Sequence, residues 1–130
     1  MAVDEQNRSR CIITMKGPLQ KGEFKTREEI EFTASDAEAV RAIFENMGYQ
    51  TSLSFEKRRE SWSMGGCEVD LDELPYLGNF VEIEGKTEAA IEAVRESLGL
   101  GGLPSITSGY IAMLSRYLQE HQIKDRKIKL

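Results

Sequence analysis

The sequence predicts an α+β domain in which strands with one charged and one apolar face are combined with three amphipathic helices. Several short segments alternate charged and apolar residues with the period of two that is typical of β-strands. Three other segments space their apolar residues three and four positions apart, as amphipathic helices do. Glycine and proline residues separate these segments, and 130 residues are enough for one domain with a hydrophobic core.

The first part of the chain is predicted to contain two strands and a helix. The residues before position 11 are polar, so no ordered element is expected there. Alternation predicts strands at residues 11–16 and 23–33, joined by a turn that starts at Gly17. Residues 35–38 have the pattern of a capping box, which predicts a helix that ends at Gly48.

The second part is predicted to contain three strands followed by two helices. The strands are expected at residues 50–64, 67–73 and 79–85. Two consecutive glycines at positions 65 and 66 predict a hairpin turn between the first two strands. Thr87 is the predicted cap of one helix, and Ser105 or Ser108 begins another that runs to about Gln122. The basic tail, residues 124–130, is expected to be frayed and solvated.

The charged faces of the predicted strands carry both signs of charge. They contain Thr14 with Lys16; Arg27 with Glu29 and Glu31; Lys57 with Arg59; Glu68 with Asp70 and Asp72; and Glu82 with Glu84. Solvated strand faces would explain each pattern singly, but its repetition on five strands favours a shared polar cavity. Cations that hold an anion and carboxylates that hold a metal are what a site for phosphate and magnesium needs.

The composition excludes several other classes of function. A net charge of −5 argues against nucleic acid as a partner, and no apolar run is long enough to span a membrane. Cys11 and Cys67 lack metal-ligand spacing and predict free, buried thiols, which together with the absence of a signal peptide indicates a cytoplasmic protein. His121 is the single histidine, so a His-based triad or a typical zinc site is not expected.

Six segments in order carry a resemblance to a known family. They are residues 14–18 (TMKGP), 27–32 (REEIEF), 56–60 (EKRRE), 70–73 (DLDE), 77–84 (LGNFVEIE) and the helical stretch 108–114. With these segments the chain resembles the CYTH superfamily, which groups class IV adenylate cyclases with thiamine triphosphatases and is also called the triphosphate tunnel metalloenzymes. No single segment is conclusive, but the ordered set is specific.

The resemblance implies an antiparallel β-barrel that forms a tunnel, with helices packed outside. Inside such a tunnel, basic side chains bind a triphosphate and acidic side chains bind Mg²⁺ or Mn²⁺. Carried over to this sequence, the implied triphosphate ligands are Lys16, Arg27, Lys57 and Arg59. The implied metal ligands are Asp70, Glu82, Glu84, Glu29 and Glu31. The resemblance identifies no catalytic residue for this chain, and the implied partner is a small molecule that bears a triphosphate.

The sequence also departs from the family pattern. The family carries a Glu-x-Glu-x-Lys motif on its N-terminal first strand, and no such motif precedes the strand predicted here at residues 11–16. We therefore expect residues 1–130 to form one CYTH-like domain whose barrel is incomplete at its N-terminus.

Three hypotheses follow from this departure. The first is a metal-dependent enzyme acting on a nucleoside, thiamine or inorganic triphosphate, either as a class IV adenylate cyclase or as a triphosphatase. The second is a non-catalytic domain that binds phosphate-rich ligands, which the absent motif favours. The third is a module that self-associates through unpaired strand edges, most simply as a symmetric homodimer.

Overall fold

A computed structural model describes residues 2–3, 9–18 and 27–130 of the protein. The chain divides into two compact units, Met1–Thr51 and Ser52–Leu130. Whether residues 1–130 form one domain stays a prediction. Within the described ranges, no helix has both the length and the apolar character that crossing a bilayer requires.

The first unit contains strands β1 (Ala2–Val3), β2 (Ser9–Lys16) and β3 (Glu29–Ala34), followed by helix α1 (Ala37–Asn46). Strand β2 pairs antiparallel with both of its neighbours. Since β2 begins at Ser9 and pairs with β1, the expectation of no ordered element before residue 11 is wrong. The predicted strand at residues 23–33 is described from residue 27 onward, because residues 19–26 lie outside the described ranges.

Helix α1 begins one residue later than the capping-box pattern predicts. The side chain of Asp36 accepts a hydrogen bond from the backbone N–H of Ala39 at 3.0 Å, so Asp36 rather than Ser35 is the N-cap. The helix ends before Gly48, whose φ of 97° is the left-handed conformation that glycine adopts readily. None of the ten residues of α1 is buried.

The second unit begins with strands β4 (Ser54–Phe55), β5 (Arg58–Met64), β6 (Cys67–Leu74) and β7 (Gly78–Glu84). The single strand predicted at residues 50–64 is therefore interrupted at residues 56–57. The interruption arises because the backbone N–H groups of Ser54 and Glu56 donate to the carbonyls of Arg126 and Ile128, away from the β5 sheet. The hairpin between β5 and β6 is confirmed, and both of its glycines have positive φ, as a type I′ turn requires.

The β5–β7 sheet has one apolar and one charged face. Helix α2 (Glu88–Ser97), capped by Thr87 as predicted, covers the apolar face. Cys67, Val69 and Val94 are buried in this contact, and Ile83, Ala90 and Ile91 pack around them. Because successive residues of a strand point to opposite faces, the acidic residues of β6 and β7 lie on the side away from α2.

The C-terminal segment corrects the prediction of a frayed tail at residues 124–130. Strand β8 (Lys127–Ile128) pairs with β4, and helix α3 (Tyr110–Glu120) packs against this pair. Ile128 is 4% exposed and contacts Leu114 and Leu118, which are each 1% exposed. The surrounding lysines made the segment look solvated, but one apolar side chain and its strand pairing are sufficient to anchor it.

The strands of the described residues form three separate sheets, β1–β2–β3, β4–β8 and β5–β6–β7. The α+β class with antiparallel sheets and three helices is confirmed, although the short β4–β8 pair is parallel. A closed barrel is not present among these strands, so the tunnel stays part of the proposal below.

Candidate functional site

Three carboxylates converge on one guanidinium on the charged face of the β5–β7 sheet. The strand register places Arg59 opposite Asp72 and places Asp70 opposite Glu82. Arg59 forms ion pairs with Asp72 at 2.6 Å, with Glu82 at 3.0 Å and with Asp70 at 3.3 Å. Hydrogen bonds that involve ionised groups are roughly twice as strong as neutral ones, so each charged contact in this cluster is a strong one.

The two edges of the Arg59 guanidinium have different partners. On the side edge, Nε donates to Asp72 Oδ1 at 2.7 Å and Nη2 donates to Asp72 Oδ2 at 2.6 Å. On the end edge, Nη2 contacts Glu82 Oε2 and Nη1 contacts Asp70 Oδ2. Asp72 thus makes the bidentate contact that suits the planar geometry of arginine, while two separate carboxylates share the end edge.

Asp72 is held from a second direction by helix α3. The Tyr110 hydroxyl donates a hydrogen bond to Asp72 Oδ2 at 2.7 Å, and the Asp72 side chain is completely removed from solvent. Burial opposes ionisation of Asp72, but the hydrogen bonds from Arg59 and Tyr110 outweigh it and hold its pKa below the ordinary value. Asp72 is therefore a buried carboxylate that stays ionised at neutral pH.

Tyr110 and Arg59 keep their protons in this arrangement. Burial, together with the hydrogen bond to Asp72, raises the pKa of Tyr110 far above its ordinary value, so its hydroxyl remains a donor. The hydrogen bonds to Asp72 likewise raise the pKa of Arg59. The Tyr110 ring lies 5.5 Å from Phe80 between ring centroids, and Lys57 Nζ lies 5.5 Å above the Tyr110 ring centroid.

Further acidic residues extend the site along β6 and β7. Asp70 Oδ1 accepts a hydrogen bond from the Ser61 hydroxyl at 2.6 Å, and the Asp70 side chain is 6% exposed. Glu84 lies opposite Glu68 in the β6–β7 register. Two acidic side chains directly opposite each other on one face of a sheet repel each other.

The predicted site residues of the first unit form a smaller polar face of their own. The Thr14 hydroxyl donates to Glu31 at 3.1 Å, and Lys16 lies 4.0 Å from Glu29 in an exposed ion pair. Arg27 precedes β3 and is partly exposed. The β2–β3 register pairs Thr14 with Glu31 and Lys16 with Glu29, so these charged and polar positions of the two strands lie on one face.

The second unit thus brings Arg59, Asp70 and Glu82 together, with Lys57 beside the Tyr110 ring. Whether the residues of the first unit join them in one cavity stays a prediction. Asp72 and Tyr110 are two site residues that the predicted triphosphate and metal ligands did not include. Alternation places Asp72 on the charged face and could have identified it, whereas no sequence signal linked Tyr110, on a helix 38 residues away, to this strand.

The acidic residues fit a hard divalent cation in donor chemistry, since carboxylate oxygens are the ligands that Mg²⁺ and Mn²⁺ prefer. In this structure, however, these acidic side chains are not oriented toward a common point where a cation could bind. The guanidinium of Arg59 contacts both Asp70 and Glu82, and no three acidic, histidine or cysteine side chains of the described ranges converge as a metal-binding group.

The chain matches the family model described as the CYTH domain over residues 5–107. A curated relative from Methanocaldococcus jannaschii, named "Putative adenylate cyclase", is 38% identical over 73 residues. The aligned stretch covers 56% of this chain and 42% of that relative, so the chain spans less than half of the relative's length.

Solved structures from two Pyrococcus species share the fold. Two proteins from Pyrococcus horikoshii give TM-scores of 0.70 and 0.67 at 23% and 27% identity, over 82% and 85% of this chain and 68% of each of theirs. A conserved hypothetical protein from Pyrococcus furiosus gives a TM-score of 0.68 at 20% identity, over 79% of this chain and 66% of its own.

Proposed function

Because the chain belongs to the CYTH domain family, we propose that the charged face of the β5–β7 sheet binds a triphosphate together with a divalent cation. The observation that supports this most directly is the end edge of the Arg59 guanidinium. Its Nη1 and Nη2 atoms are shared by two separate carboxylates, Asp70 and Glu82, and one third of the side chain is exposed. A phosphate group can replace these carboxylates with the bidentate geometry that arginine favours.

The other triphosphate ligands follow from their positions on the charged faces. Lys57 lies beside the Tyr110 ring, close enough to Asp72 to lower its pKa, and adds a second cation to the Arg59 site. Lys16 and Arg27 of the first unit are proposed as further phosphate ligands. Their contribution depends on the closed tunnel, which belongs to this proposal as well.

The proposed cation ligands in the second unit are Asp70, Glu82 and Glu84. Glu29 and Glu31 of the first unit complete the proposed set if the tunnel closes. A bound Mg²⁺ or Mn²⁺ would supply charge neutralisation and polarisation of the phosphoryl oxygens. In the chain itself, Arg59 and Lys57 would position the phosphate. The acidic residues would hold the cation next to that phosphate.

The proposed substrate class is a nucleoside, thiamine or inorganic triphosphate. The name of the Methanocaldococcus relative favours a cyclase that acts on adenosine triphosphate. Hydrolysis by a triphosphatase is the second reaction that this set of side chains can support. Binding of phosphate-rich ligands without turnover, and self-association as a homodimer, remain alternative proposals.

Tripolyphosphate with Mn²⁺ is expected to raise the melting temperature of the protein, since a ligand that binds the folded state stabilises it by mass action. At a concentration of about 100 times the Kd, the stabilisation is about 2.7 kcal/mol. Differential scanning fluorimetry checks the binding. Incubation with adenosine, thiamine and inorganic triphosphates, followed by chromatography for cyclic nucleotide and by a phosphate-release assay, separates cyclase, triphosphatase and binding domain. No shift at millimolar tripolyphosphate would contradict the proposed function.

The variant that combines Glu82→Gln with Glu84→Gln is expected to bind Mn²⁺ at least tenfold more weakly than the unmodified protein. It keeps the shape of both side chains and removes two anionic oxygen ligands. Isothermal titration calorimetry measures the change. Glu60→Gln is the matched control, because Glu60 lies on β5 opposite Leu71 and points to the other face of the sheet. An unchanged Mn²⁺ affinity in the double variant would show that the cation binds elsewhere.

A further inference from the structure

We propose that Asp72 and Tyr110 are positioning residues, which fix the plane of the Arg59 guanidinium so that its end edge faces the ligand. This inference rests on the proposed function, since it assigns a phosphate to that end edge. It concerns Asp72, which binds the side edge of the Arg59 guanidinium, and Tyr110, which donates a hydrogen bond to Asp72. Tyr110 lies beyond residues 5–107, the part of the chain that matches the family model.

The first step is that burial and three hydrogen bonds from the protein close Asp72 off from a ligand. Its Oδ1 accepts from Arg59 Nε, and its Oδ2 accepts from both Arg59 Nη2 and the Tyr110 hydroxyl. The side chain is fully buried. Asp72 therefore cannot easily coordinate a cation or meet a substrate, and its contacts with Arg59 are expected to persist when a ligand binds.

The second step is that the end edge of the Arg59 guanidinium can change partners while its side edge stays bound to Asp72. Asp70 and Glu82 contact the end edge only, and the Glu82 side chain is 39% exposed whereas that of Asp72 is not exposed. An incoming phosphate would displace these two carboxylates while the side edge stays bound to Asp72. The guanidinium is then preorganised, so that little conformational freedom is lost on binding.

The third step is that Tyr110 fixes Asp72. The Tyr110 ring contacts Phe80 on one side and Lys57 on another, so its hydroxyl has a defined position. Helix α3 supplies this residue, and Leu114 and Leu118 of the same helix are buried in the core with Ile128. A rigid helix thus determines the orientation of Asp72, and Asp72 in turn determines the orientation of Arg59.

The experiment uses Tyr110→Phe in the full chain, because this change removes the hydroxyl and keeps the ring. We expect the tripolyphosphate affinity in the presence of Mn²⁺ to fall about fivefold, as for the loss of one hydrogen bond. We also expect the Nε–Hε signal of Arg59 in a ¹⁵N–¹H NMR spectrum to shift and to broaden, because Asp72 loses a partner. The corresponding signal of Arg58, which pairs with Glu73 on the opposite face, should not change.

Tyr117→Phe is the control on the same helix. Tyr117 stacks on Tyr76 and His121 through its ring, which phenylalanine preserves, so both the affinity and the Arg59 signal should match the unmodified protein. An unchanged Arg59 signal in Tyr110→Phe would overturn the positioning role, and so would a shifted signal with unchanged tripolyphosphate affinity. If the unmodified protein does not bind tripolyphosphate, the proposed function fails, and the Arg59 signal by itself decides whether Tyr110 orients the guanidinium.

Discussion

Replacing Arg59 by glutamine is expected to change phosphate and metal affinity in opposite directions. Tripolyphosphate affinity should fall by about one to two orders of magnitude, because charge-assisted hydrogen bonds contribute about 1.5–3 kcal/mol. Mn²⁺ affinity should rise by about tenfold, since Asp70, Asp72 and Glu82 lose the cation that all three contact. Isothermal titration calorimetry with each ligand separately measures both changes.

Arg58→Gln is the matched control for this variant. Arg58 is the preceding residue on β5 and pairs with Glu73 at 2.8 Å, but its side chain is 71% exposed and points to the opposite face. Both affinities should stay within about twofold of the unmodified protein, as expected when an exposed ion pair is lost. Loss of both affinities in Arg59→Gln would indicate a damaged fold, which a melting curve would detect. If Arg59→Gln leaves the tripolyphosphate affinity unchanged, Arg59 is not a phosphate ligand.

The opposite signs follow from the dual role of arginine in this site. Without a ligand, the guanidinium neutralises carboxylates that would otherwise repel one another across neighbouring strands. With a phosphate on its end edge, the same guanidinium would release Asp70 and Glu82, which would then be available to a cation. Phosphate and cation would therefore bind cooperatively in the unmodified protein, whereas either one by itself competes with the internal ion pairs.

Much of this site could be predicted from the sequence because strands alternate. A period of two is enough to place Asp70 with Asp72 and Glu82 with Glu84 on one face, and the Gly65-Gly66 turn is enough to pair β5 with β6. Alternation does not say which carboxylate faces Arg59. The hairpin register decides that, and it places Asp72 opposite Arg59, where it makes the bidentate contact.

The rest could not be predicted because it depends on contacts between distant segments. Tyr110 reaches Asp72 from helix α3, 38 residues along the chain, and no pattern in the sequence links the two side chains. Ile128 pairs with Phe55, and this contact both orders the C-terminal segment and interrupts the strand predicted at residues 50–64. Local propensity is a weak guide in such cases, since burial of a single side chain in a tertiary contact outweighs it.

Replacing Asp72 by asparagine is expected to lower the free energy of unfolding by about 1–3 kcal/mol at neutral pH. Removing one partner of a fully buried ion pair costs about 3–5 kcal/mol. We expect less here, because Arg59 is 34% exposed and keeps Asp70 and Glu82 as partners. Urea denaturation measures the difference, with Glu73→Gln as the control on the neighbouring rung. That exposed pair should contribute about 0–1 kcal/mol.

The pH dependence of this difference provides a sharper test than its size. The pKa of Asp72 is lowered in the folded state from its ordinary value of 3.8. The folded state therefore prefers the ionised carboxylate, and its stabilising effect is fully present above the ordinary pKa and disappears as pH falls through the lowered value. The stability difference between the unmodified protein and Asp72→Asn should be constant from pH 7 to about 5 and should shrink below pH 4. A difference that stays the same down to pH 2.5 would mean that the lost contribution does not depend on the Asp72 charge, and the ionic account of the Arg59 cluster would then be wrong.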